Sequence, residues 1–225
     1  VLMISTPLIV IGAGGLGRET ACLVQDINND SPTFEFLGFL DDAVHQTPEG
    51  FPVLGTTYEW LRRPTPGVHV VCAIGDPFTR HRIIQRFAAE SVPFATLVHP
   101  TVRRSRWVEI GPGTIICANA SFTTNIRVGA HALVNPDCTI GHDAVIHDFA
   151  SLMPGVHISG DVVLGTGAYL GVGSVVINRV RVGAWTIIGA GAVVTSDLPP
   201  RVVAVGVPAK PIKENSRVPE SLVED

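Results

Sequence analysis

The chain has 225 residues, enough to bury a sizeable core in one large domain or two small ones. Its 16 Lys and Arg stand against 20 Asp and Glu, a formal charge of −4, so small molecules are the expected partners, with no nucleic acid and no membrane. No apolar run reaches the roughly 18 residues of a membrane span, and PLIVIGAGG lacks the basic flank and cleavage pattern of a signal peptide, so the cytoplasm is the expected location.

From the N-terminus, PLIVIGAGG reads as a buried strand and turn, LGRETACLVQDIN as a helix, and FEFLGFLDD as a second strand. TTYEWLRR follows as a short helix, HVVCAIGD as a third strand and FTRHRIIQRFAAE as a third helix. Strands separated by helices require crossover connections, so residues 1–100 are predicted to form a small Rossmann-like α/β domain around a parallel sheet.

Beyond residue 107 helical periodicity gives way to a repeat of six. Counting in sixes from Ile110 through Ile140 and Leu164 to Val194 meets an apolar residue every time. Two positions earlier stands a small or aliphatic residue, such as Ala120, Cys138 or Ala168, or otherwise Thr or Ser. In extended chain these two positions share a face. Each unit is therefore a short strand plus a turn, and stacked units bury a column that none could bury alone. Glycine recurs just after the anchor, at 111, 129, 141, 165, 171, 183 and 189, where a corner is expected. Residues 101–213 are predicted to form a three-sided parallel β-helix, followed by a polar tail, 214–225. The four cysteines, Cys22, Cys72, Cys117 and Cys138, form no CxxC and are expected reduced and mostly buried.

This column, continued by GAGAVVTSDLPPRVVAVGVPAKPIK, preceded by IGAGGLGRE and carrying GHD at its middle, resembles the left-handed β-helix acyltransferases. It is similar to their sialic-acid O-acetyltransferase and nucleotide-amino-sugar N-acetyltransferase branch. The resemblance implies a left-handed β-helix, a homotrimer, acetyl-CoA as co-substrate in the groove between neighbouring prisms, and a nucleotide-linked amino sugar as acceptor.

Acetylating an amine with a thioester needs the free base, a route for its proton and donors for the oxyanion. Histidine, with an ordinary pKa of about 6.5, suits the proton transfer. His142 follows the anchor Ile140 by two residues, at an outward corner, and matches the family's general base through GHD. The resemblance makes Asp143 the residue orienting that base, Asn135 the contact to the acceptor sugar, and the Gly160 N–H the oxyanion donor, a fixed dipole of the kind that stabilises developing charge. His147 and His157 receive no role, and Ser151 stands where some relatives carry a second histidine. Gly171, Gly173 and Ala190 are expected to admit the pantetheine arm of acetyl-CoA, and Lys210 to meet a CoA phosphate. Cys138 points inward and Cys117 has no histidine partner, so direct attack is expected rather than an acyl-enzyme.

In GAGGLG, Gly12, Gly14, Gly15 and Gly17 lie between a strand and a helix, where glycines let a phosphate approach the backbone and the helix N-terminus favours its charge. Asp41 and Asp42 end the second strand, within reach of a ribose, and Arg80 is a candidate for the pyrophosphate. Leu16 replaces the histidine that relatives often carry. Alone, this loop would suggest NAD, but about 100 residues is half of a full dinucleotide fold; the family uses the half-fold for a sugar nucleotide.

Three other readings stay open: a sialic-acid-type O-acetyltransferase, a non-catalytic sugar-nucleotide sensor, and a zinc enzyme. Gamma-class carbonic anhydrases share the β-helix, and IGHDAVIH resembles their paired-histidine segment. A catalytic zinc needs three protein ligands, yet Thr124 and Arg106 occupy the register one and two coils before His142, so no metal is expected.

Overall fold

The structure, a computed structural model, describes residues 5–222. Strand β1 (Thr6–Ile11) lies between β2 (Phe34–Leu40) and β3 (His69–Cys72), all parallel, and helices α1 (Gly15–Asp30), α2 (Thr57–Leu61) and α3 (Pro77–Ala89) make the crossovers. Each matches a predicted run in order and type. Helix α1 buries Gly17, Thr20, Ala21, Val24 and Ile27, the three- and four-residue spacing of one helix face. Helix α3 starts where Asp76 accepts the Thr79 amide at 2.8 Å and Pro77 occupies its first turn.

The remaining chain winds as a triangular prism. Its broad face stacks Leu97–Val98, Ile115–Ile116, Leu133–Val134, Ser151–Leu152, Tyr169–Leu170 and Ile187–Ile188, then Val202–Val205 and the antiparallel Lys210–Glu214. A second face runs from Ser121–Phe122 through Thr139–Ile140 and His157–Ile158 to Val193–Val194. The third runs from Val108–Ile110 through Val145–Ile146 to Arg181–Val182. The anchors fill the axis: Ile116, Val134, Leu152, Leu164, Leu170 and Val176 are completely buried, each worth about 1.5–3 kcal/mol of apolar burial. Two of the polar exceptions are satisfied within the column, Thr114 Oγ1 donating to the Gly129 carbonyl and Thr186 Oγ1 to that of Pro199.

The glycines after the anchors are present for a different reason from the one expected. None of the seven has a positive φ; the left-handed residues sit two positions further on, at Gly113, Asn125, Asp143, Asp161 and their equivalents. A β-carbon at Gly141 would lie 2.6 Å from the Gly160 amide nitrogen, and one at Gly171 2.6 Å from that of Ala190. These glycines permit the close approach of successive coils, while the left-handed corners are taken by Asn, Asp and other glycines, tolerant of that φ, and also by larger residues such as His131, Phe149 and Trp185.

Two boundaries shift. The prism begins just before residue 100, because Leu97–Val98 already pairs with Ile115–Ile116. The segment expected as a polar tail is packed: Val218 is buried, Asn215 Nδ2 donates to the Trp185 carbonyl at 2.9 Å, and Trp185 Nε1 donates to that of Leu222 at 3.0 Å. Val218 brings an apolar side chain to bury, and the Trp185 indole N–H needs an acceptor that the returning segment supplies. The front domain docks on the broad face, where Leu97, Ile115 and Leu133 share a core with Val10, Ala21 and Phe39.

Candidate active site

The corner between the second and third faces carries His142, Asp143 and Gly160. His142 Nδ1 lies 2.7 Å from Asp143 Oδ2, and both side chains are exposed. An ionised carboxylate only accepts, so Nδ1 holds a proton, and in the neutral imidazole Nε2 keeps its lone pair. The ring lies over Gly160 in the next coil, where a β-carbon would fall 2.5 Å from both Nε2 and Cε1. The structure thus brings these three expected residues together. Asp143 Oδ1 accepts from Asn125 Nδ2 at 2.5 Å. The Asn125 amide first, and the His142 ring second, hold the Asp143 carboxyl below its usual range. Ligand atoms of His142, Asp143 and Asp161 lie within 4.8 Å of one another, all three residues exposed.

The corner between the broad and second faces carries the others. Gly171, Gly173 and Ala190 follow broad-face strands, with Gly173 at φ +65° and open space beside it. Asn135 shares this edge, but its amide turns inward. Nδ2 donates to the Leu152 carbonyl at 2.8 Å and the residue is 4% exposed, so in this conformation it braces the next coil instead of reaching toward a sugar. Lys210 is exposed on the last strand. His147 stands exposed on the edge between the third and broad faces, apart from His142, and His157 Nδ1 pairs with Thr139 Oγ1 at 2.8 Å.

In the front domain the Ala13 amide donates to Asp41 Oδ2 at 2.7 Å, tying the glycine loop to the end of β2. Burial alone would raise the Asp41 carboxyl, but the amides of Ala13, Val44 and Ala43, with His45 nearby, leave it below its usual range. Gly12 has φ +99°, and a β-carbon at Gly17 would strike the Gly12 carbonyl oxygen, so both shape the turn. Gly14 and Gly15 are exposed with open space above them at the start of α1, whose N-cap has no side-chain partner. Asp42 is engaged elsewhere: it accepts from the Thr57 amide and hydroxyl, both at 2.8 Å, at the start of α2.

Arg80 requires a correction. It is 2% exposed, and its guanidinium donates to the carbonyls of Ile74, His131 and Phe149 and to Ser151 Oγ. Every nitrogen is directed to protein acceptors, so it is a clamp between α3 and the prism and not a pyrophosphate ligand. Burial lowers its pKa to about 10, still protonated at neutral pH. Ser151, fully buried between Arg80 and the Gly75 carbonyl, is part of the same clamp.

Sequence reasoning missed Asn125, His131 and a cavity of about 370 Å3 whose walls include Phe78, Met153, Tyr169, Trp185 and Arg217. His131 stacks on Phe149 and meets Phe94 edge-on, and burial, with Arg80 behind it, lowers its pKa to about 4. The six-residue register gave a signal for Asn125, which stands at the corner position 18 residues before Asp143; nothing local marks the other two. All four cysteines are free, with Cys22 exposed. Burial raises Cys72 and Cys117 to about 12 and Cys138 to about 11, far from the thiolate a nucleophile needs.

Residues 7–87 match the PglD N-terminal domain family. The chain is 32% identical over 164 residues to a GDP-perosamine N-acetyltransferase of Escherichia coli O157:H7, covering 72% of this chain and 74% of that protein. The acetyltransferase domain of PglB from Neisseria gonorrhoeae FA1090, solved with acetyl coenzyme A, superposes with a TM-score of 0.86 at 32% identity, over 93% of this chain and 100% of that one. A histidine-to-asparagine variant of perosamine N-acetyltransferase from Caulobacter crescentus, solved with CoA and GDP-perosamine, superposes with a TM-score of 0.83 at 28% identity, over 92% and 97%. With a Rossmann-like half-fold docked on a hexapeptide prism whose corner carries the His142–Asp143 pair, this chain belongs to the left-handed β-helix nucleotide-amino-sugar N-acetyltransferases.

Proposed function

We propose that this protein transfers the acetyl group of acetyl-CoA to the amino group of a nucleotide-linked deoxy-amino sugar, with a GDP-linked sugar as the first candidate. The observation that carries the reading is the His142 ring, its Nδ1 held by Asp143 and its Nε2 free, lying over Gly160. The amine nitrogen attacks the thioester carbonyl, Nε2 takes the amine proton, and the C–S bond breaks as the proton passes to the departing CoA sulfur. The Gly160 N–H, which donates to no protein group among the described residues, is the proposed oxyanion donor. GDP-perosamine leads because it is bound in the Caulobacter structure and names the Escherichia coli relative.

The glycine loop at Gly12, Gly14 and Gly15, with Asp41 behind it, is the proposed seat of the nucleotide. His142 and the small-residue edge of Gly171, Gly173 and Ala190 lie on different edges of one prism, with a strand of the second face between them. A neighbouring copy setting one edge against the other would unite them, which supports a homotrimer with acetyl-CoA between prisms. Acetyl-CoA as donor and four free cysteines suit the cytoplasm; among the described residues no helix is long and apolar enough to cross a membrane.

The test is CoA release from acetyl-CoA with GDP-, UDP- and CMP-amino sugars, for wild type and His142→Ala. The expected result is turnover with one amino sugar, reduced at least about a hundredfold in the variant while its thermal midpoint holds. Near-full activity of His142→Ala across the pH range would overturn the assignment of the base.

A further inference from the structure

We propose that Asn125 is a positioning residue for the acetyl transfer, holding Asp143 so that Asp143 in turn fixes the tautomer and direction of His142. This rests on the reading of His142 as the base. Asn125 and Asp143 occupy the same corner position in successive coils, both left-handed at φ 54° and 59°. The two oxygens of Asp143 divide their work: Oδ1 accepts from Asn125 Nδ2 at 2.5 Å and Oδ2 faces His142 Nδ1 at 2.7 Å. With one oxygen anchored from the coil below, the carboxylate cannot rotate about its terminal bond without breaking a hydrogen bond. An exposed, singly held carboxylate would sample other rotamers.

The residue type is informative. A left-handed corner is tolerated by glycine, asparagine and aspartate. Glycine would bring no donor, and aspartate would set a second negative charge against Asp143. Asparagine, of these three, supplies a neutral N–H. On the far side Asp161, one coil above, adds a negative charge that Arg179 partly offsets at 3.9 Å. Asn125 is therefore the neutral support of a corner otherwise built from His142, Asp143, Asp161 and Arg179. The Asn125 amide is also the foremost influence holding the Asp143 carboxyl low, ahead of His142.

Two variants test this. Asn125→Gly keeps the backbone conformation and removes the donor; Asn125→Asp keeps shape and left-handed tolerance but replaces the donor by a charge. With acetyl-CoA and GDP-perosamine, both should lower kcat by about five- to tenfold with KM unchanged, Asp at least as strongly as Gly. In the Asp143→Asn background Asn125→Gly should add no further loss. Nitrogen-15 NMR of histidine-labelled protein, with the His142 signals assigned by their loss in His142→Asn, should show the Nδ1–H tautomer in wild type and a mixed population in both variants, with or without substrate. Rescue by Asn125→Asp, an additive loss in the double variant, or an unchanged tautomer would overturn the proposal. A silent His142→Ala would instead sink the assignment of the base, so the two failures are distinguishable.

Discussion

The imidazole of His142 covers Gly160 so closely that a β-carbon at position 160 would lie 2.5 Å from Nε2. The two residues are brought together by the stacking of adjacent coils, in which the Asp161 amide donates to the His142 carbonyl at 2.8 Å. Glycine here admits the ring and leaves a backbone N–H beside it.

Gly160→Ala should therefore displace the ring more than it disturbs the fold. Gly160 has no positive φ, and the colliding atoms belong to the end of an exposed side chain. The expected outcome is a fall in kcat of roughly ten- to a hundredfold, a thermal midpoint within a few degrees of wild type, and an unchanged KM for the nucleotide sugar. Steady-state kinetics beside differential scanning fluorimetry checks it. Unimpaired turnover would show that the ring does not work from its position over Gly160.

Arg80 makes an opposite prediction. Removing a buried cation whose donors bind the carbonyls of Ile74, His131 and Phe149 leaves those acceptors unpaired. Arg80→Ala should cost several kcal/mol, about 1–3 kcal/mol for each buried acceptor left unsatisfied, read by denaturant unfolding. Arg80→Lys should not restore it, because an ammonium lacks the planar fork that spans two domains. Loss of nucleotide-sugar affinity at unchanged stability would return Arg80 to the ligand.

His131 predicts acid sensitivity. Its folded pKa of about 4 lies below the ordinary 6.5, so the unfolded chain takes up the proton first. The contribution is complete above about pH 6.5 and is lost as pH falls towards 4. His131→Asn, which tolerates the same left-handed backbone of φ 54°, should lose about 2 kcal/mol less than wild type between pH 7 and pH 5. Parallel slopes for the two proteins in urea titrations at these pH values would refute it.

Much of the fold was legible because burial in this prism obeys a short local period. The anchors from Ile116 to Val194 and their partners two residues earlier point to one axis, and that follows from extended geometry alone. The alternation of β1, α1, β2, α2, β3 and α3 was equally open, since each run has its own periodicity and end signals. His142 and Asp143 were legible through their corner position and the GHD motif. The glycine column was seen but misread, because φ and coil-to-coil clearance leave the same letter in the sequence.

What lies along the chain, then, was determined by the order of residues: the strand period, the helix faces and the corner that presents His142. What meets across it was decided only in three dimensions. Arg80 carries a surface-like residue type on a helix, yet its partners are 51 and 71 residues away. The burial of His131, beneath Arg80 of α3, has the same origin, while the inward amide of Asn135 answers to the Leu152 carbonyl of the next coil and the return of Val218 to the contacts its segment makes with Trp185. Docking of α3 and the broad face removes water from groups whose local pattern leaves them exposed, and the free energy of burying or pairing a polar group depends on those distant neighbours.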